Sequence, residues 1–198
     1  ARRHAVRLDA SPPPDWGSRF TLVGIFREPF LSTRAGRWQD WVGQLHADFA
    51  AVDLARLQRQ VNLGVEVAHG RGRLRAWADV DRGQVTGGAA DVVLDDVQAT
   101  LGPQLQPLEL RAVSGRLGGK RLAGGFQFQT EGLQFMTREG QRWPGGNVAL
   151  TWTDAQGKTP AQGELRADRL DLGALSQIAS RLPLGKATHA ALQAYADR

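Results

Sequence analysis

The 198-residue sequence has no cysteine, one methionine, one tyrosine and only three lysines. Without cysteine, disulfide scaffolds, thiolate metal sites and cysteine nucleophiles are excluded. No apolar run approaches the roughly 18 residues of a membrane-spanning helix. The longest, Phe20 to Phe26, is strand-sized. A charged-then-apolar leader is missing at Ala1, and no Gly or Asn terminates the helical pattern of Leu192 to Arg198. The expectation is therefore a piece of a longer protein whose targeting signals lie elsewhere. What is abundant is glycine, 24 residues, joined by nine prolines. That supply of turns argues against a helical bundle.

The net charge of +5 is carried almost wholly by arginine. Arginine suits phosphate contact. Here only Arg2 and Arg3 are adjacent arginines, and no basic stripe emerges. A solvated surface is the simpler reading.

Period-two alternation dominates the chain. Leu74, Ala76, Ala78 and Val80 share one face of a strand, with Arg73, Arg75, Asp79 and Asp81 on the other. Phe126 and Phe128 alternate with Gln127 and Gln129, Leu133 and Phe135 follow Gly132, and Val148, Leu150 and Trp152 alternate with Asn147, Thr151 and Thr153. Further strands are predicted over Phe20–Phe26, Trp41–Phe49, Val92–Leu101, Leu108–Leu117 and Gly163–Asp168. Gly87-Gly88, Gly118-Gly119, Gly124-Gly125, Pro144-Gly145-Gly146 and Asp154–Gly157 are read as turns between them. Short connections favour antiparallel neighbours. Helices are predicted over 53–61 and 171–182, each opened by a capping aspartate, and over 186–197.

Two segments echo one another. Gly43-Gln44-Leu45-His46-Ala47-Asp48 precedes Val52-Asp53-Leu54-Ala55-Arg56-Leu57, and Gly163-Glu164-Leu165-Arg166-Ala167-Asp168 precedes Leu170-Asp171-Leu172-Gly173-Ala174-Leu175. The pattern is a strand, G-[QE]-L-x-A-D, followed by a helix opened by [VL]-D-L-x-x-L. It suggests a repeat unit over 43–162 and a second beginning at 163, within one continuous assembly over 1–198.

Catalytic motifs are not found. Gly119-Lys120 lacks the first glycine and the hydroxyl residue of a phosphate loop, and no serine lies in a nucleophile elbow. His4, His46, His69 and His189 are far apart, without metal-ligand spacing. Asp95-Asp96, and Asp79 with Asp81, read as solvated carboxylates. Neither an enzyme, a metal nor a cofactor is expected. The six tryptophans can pack ordinary core, stack bases or sit at the rim of a lipid surface.

The stretch Phe26-Arg27-Glu28-Pro29-Phe30-Leu31-Ser32, leading into Trp38-Gln39-Asp40-Trp41-Val42-Gly43-Gln44-Leu45, resembles the YhdP group of AsmA-like proteins, which are related to TamB. Ser114–Gly118, Gly140–Pro144, Ala167–Leu172 and Arg181–Leu184 carry the same likeness. The resemblance implies a Gram-negative envelope protein with an inner-membrane helix and a periplasmic body, active in outer-membrane biogenesis. That body would be a mainly β, curled antiparallel meander forming an open apolar groove, crossed or capped by short amphipathic helices, that carries phospholipid between the two membranes.

On that reading the groove-facing candidates are Leu74, Ala76, Ala78, Val80, Phe126, Phe128, Leu133, Phe135, Leu150, Trp152 and Leu165. Each is equally read as an ordinary core position. Expected partners are phospholipid acyl chains, adjoining repeats of the same chain, the membrane through the absent N-terminal helix, and further copies through exposed strand edges. Nucleic acid is not expected. The alternative is a non-enzymatic structural or interaction module of the envelope.

Overall fold

A computed structural model describes residues 2–11, 18–28, 40–60, 63, 65–143, 145–157, 160–182, 190 and 192–194. They form one open antiparallel sheet of ten strands. These are β1 (Arg2–Ala10), β2 (Phe20–Glu28), β3 (Val42–Asp53), β4 (Glu66–Asp81), β5 (Gln84–Thr100), β6 (Leu108–Leu122), β7 (Gly125–Thr137), β8 (Arg142–Trp143), β9 (Val148–Thr153) and β10 (Gln162–Ala167). The spatial order is β1-β2-β3-β4-β5-β6-β7-β9-β10, with short β8 beside the far end of β7. Apart from β8 and β9, which both pair with β7, each strand lies beside its chain neighbour, as in a meander. The sheet does not close into a barrel.

Two helices follow the two echoed strands. Helix α1 (Leu54–Gln58) continues from β3, and its first turn is capped by Asp53, whose carboxylate accepts the Arg56 N–H. Helix α2 (Leu172–Ile178) follows β10, with Asp171 accepting the Ala174 N–H at 2.9 Å, and a 3-10 turn over Ala179–Arg181 extends it. An aspartate at this position satisfies a first-turn N–H that has no partner within the helix. Both helices are shorter than predicted: α1 gives way to a turn at Arg59 and Gln60, whose N–H groups bond three residues back to Arg56 and Leu57, and the helix from Leu172 tightens at Ala179; Val61 lies outside the described residues. Of the predicted helix over 186–197, residues 190 and 192–194 are helical and the rest lie outside the described residues.

The core forms where these helices meet the sheet. Leu54 and Ile178 pack with Val52, Val67, Val92, Leu94, Val97, Leu108 and Leu110, and Leu57 and Leu182 lie against this cluster. Helix α2 therefore reaches back from the β10 edge across the middle of the sheet. Arg181 anchors it there, its Nη2 2.8 Å from Glu139 Oε1 in the turn after β7.

Two predicted turns are corrected. Gly87-Gly88 lies inside β5 and Gly118-Gly119 inside β6, paired as Gly88 with Gly119. The β4–β5 connection is instead Arg82-Gly83, both at positive φ (50° and 70°). That is the two-residue geometry matching strand twist. Strand β1 is a further addition, although His4, Val6, Leu8 and Ala10 alternate with Arg3, Ala5, Arg7 and Asp9.

Candidate functional site

Residues directly opposite in an antiparallel pair share a face. The registers can thus be followed across the sheet. Leu8, Leu22, Ala47, Ala76, Ala90, Leu117, Thr130, Val148 and Ala167 form one row over nine strands. The next row is Val6, Gly24, Leu45, Ala78, Gly88, Gly119, Phe128, Leu150 and Leu165. Thr130 is the only residue in either row with a polar side chain, and its Oγ1 accepts the Val148 N–H.

All eleven groove candidates fall on this face. Leu74, Ala76, Ala78 and Val80 supply it from β4, opposite Val92, Ala90, Gly88 and Val85 of β5. From β7 come Phe126 and Phe128, opposite Trp152 and Leu150 of β9, and Leu150 in turn opposes Leu165 of β10. Leu133 and Phe135 reach the same face beyond the β7 irregularity at Gly132, Phe135 opposite Val113 and stacked on Trp143 at 5.8 Å.

The eleven do not share one environment. Leu74 and Phe135 pack against the helix-covered core, so they are partly ordinary core positions. Phe126, Phe128, Trp152 and Leu165 are exposed, Phe126 to 43% and Leu165 to 52%. On the opposite flank Val6 and Leu8 are equally open, at 47% and 48%. Between the flanks β4 and β5 contribute only small residues to the two rows, Ala76, Ala78, Gly88 and Ala90, while Leu22, Leu45 and Leu117 stand on the neighbouring strands. Sequence reasoning missed the β1 and β2 contribution, though the alternation in β1 carried the signal.

The other face is charged. Arg7 pairs with Asp9 at 2.8 Å, Arg75 with Asp48 at 3.2 Å, Arg116 with Asp91 at 3.0 Å and Arg166 with Glu164 at 2.8 Å. Asp79 accepts the Gln44 amide at 3.0 Å. The Arg7 hydrogen bond holds the Asp9 carboxyl below its ordinary range, and the Arg138 hydrogen bond does the same for Asp96. Arginines spread this way neutralise local carboxylates, as the solvated-surface reading anticipates. Among the described residues no cluster of side chains has the composition of a metal site.

The sequence matches the model of the YhdP protein family over residues 1–197. The chain belongs to the YhdP family. This is an envelope protein family, and the match covers both echoed segments and every strand of the sheet. No curated protein and no solved structure matches the chain. Among the described residues no helix is long and apolar enough to cross a membrane.

Proposed function

We propose that this chain is a periplasmic segment of an inner-membrane-anchored YhdP-family protein, and that its apolar sheet face conducts phospholipid between the inner and outer membranes. The observation that carries this reading is the unbroken apolar register over nine strands, left open at both flanks. A soluble protein seldom exposes so extended an apolar surface unless something covers it.

Acyl chains fit the chemistry of that face. Each buried methylene gains about 0.8 kcal/mol, so a chain of about fifteen gains on the order of 12 kcal/mol before ordering costs. The gain is spread along the surface without directional bonds. A lipid can shift by one row without losing all its contacts, while its headgroup stays in water. The alanines and glycine that β4 and β5 place in these rows leave room that larger side chains would fill. No proton transfer or covalent step is required, and the chain works without enzymatic activity or cofactor.

Photo-reactive side chains at Phe126 or Leu150 are expected to capture phospholipid in cells, and extracts of the anchored full-length protein to contain it. The same group at Gln127, on the charged face, is the control and should stay silent. Silence along the whole apolar face overturns the reading and leaves a structural module that engages other chains through β1 and β10.

A further inference from the structure

The apolar face carries one charge at its margin. Toward the Leu122 end of β6 a third row follows the two already traced. It holds His4, Phe26, Gly43 and Val80 on β1 to β4, and Arg121, Phe126, Trp152 and Gly163 on β6 to β10. Arg121 stands two residues beyond Gly119 and so shares its face. In the three rows it is the only side chain with a permanent charge. Lys120, beside it in sequence, falls on the charged face, opposite Gln127.

Arg121 is exposed and makes neither a hydrogen bond nor an ion pair among the described residues. The carboxylates of this margin do not compensate it. Asp79 and Asp81 lie on the other face, where they engage Gln44 and Arg82. Asp154 follows β9, two strands over. That is roughly 10 Å across the sheet, a separation at which salt screens most of the attraction. Directly opposite Arg121 is Phe126, exposed and stacked on exposed Trp152 with ring centroids 6.5 Å apart. An arginine stem can lie along such apolar surface while its guanidinium reaches water, and an indole suits the same boundary.

We infer that Arg121 binds the phosphate of a phospholipid whose acyl chains lie against Phe126, Phe128 and Leu150; the inference rests on the lipid reading of this face. Acyl chains that cover these rows take water away from the guanidinium, and a desolvated charge without a partner is costly. A phosphodiester supplies that partner from the lipid itself, through the paired N–H groups of the guanidinium fork. Arg121 thereby sets which end of the lipid lies at the Leu122 margin. It also favours a lipid with phosphate over an uncharged one of the same chain length.

Calorimetric titration of the full chain tests this, using dioctanoyl phosphatidylglycerol below its micelle-forming concentration. Dioctanoylglycerol is the phosphate-free counterpart, and glycerol phosphate is the headgroup without chains. The phospholipid is expected to bind at least about tenfold more tightly than dioctanoylglycerol, the worth of one charge-assisted contact. Arg121→Gln should remove that advantage and leave dioctanoylglycerol binding unchanged, while Lys120→Gln, on the other face, should alter neither. The Arg121 side chain holds no other part of the described chain, so its replacement should leave the fold intact. Equal binding of both lipids, a phospholipid affinity indifferent to Arg121→Gln, or an equal loss in Lys120→Gln overturns the inference and leaves acyl binding standing. Glycerol phosphate binding as tightly as the phospholipid overturns it in favour of a free-phosphate site. Failure of both lipids to bind removes the lipid reading and this inference together.

Discussion

Gly88 faces the apolar side of β5, where a Cβ would run into the Trp77 carbonyl oxygen of β4. Gly88→Val should therefore push two central strands apart and cost about 1–3 kcal/mol, read as a lower denaturant midpoint. Glu139 illustrates a different control. The hydrogen bond from Arg181 pulls its carboxyl from 4.5 down to about 2, so the folded state favours the ionised form. The support this pair gives α2 is present above the ordinary carboxylate range and fades as pH falls from about 4.5 toward about 2. Hydrogen-exchange protection of the Ile178 amide should fall over that window, and Glu139→Gln should remove most of the pH dependence. Unchanged protection in both would detach the pair from α2 docking.

At the scale of elements, the two helices depend on their caps more than on length, because five and seven residues cannot sustain a helix in isolation. Asp171→Ala should cost about 1 kcal/mol and loosen α2 from the core, measurable as a drop in thermal midpoint. Asp168, closing the second echoed strand, accepts both the Asn147 backbone N–H (2.8 Å) and its side-chain amide (2.9 Å). Its counterpart Asp48 pairs with Arg75 instead. Strand identity was legible from alternation, which is a local property. The diglycines were not, since a Gly-Gly step suits a turn and a close strand approach alike, and only pairing between distant segments separates them. For the same reason α2 could be located along the chain but not over β5 and β6. The candidate groove residues fell on one face because period two fixes parity. Which of them the helices would cover depended on tertiary packing that no local pattern contains.

For the molecule as a whole, the exposed large apolar side chains include those on the apolar face and on the two outer strands. Leu165 lies on both, in an edge strand whose residues are all exposed. Leu165→Lys should reduce self-association in analytical ultracentrifugation, since an inward charge blocks edge-to-edge pairing. If association is unchanged, contact runs through other surfaces.

Because every strand of the main path joins the one before it on that path, with only the two-residue β8 passed over, assembly of the sheet needs no distant segment to arrive first. Zippering can follow synthesis, with the newest hairpin always the growing margin and little loop entropy lost at each step. Duplication of a hairpin would lengthen the structure without rewiring what came earlier. Deletion would shorten it equally cleanly, so overall span is a property evolution can adjust in increments.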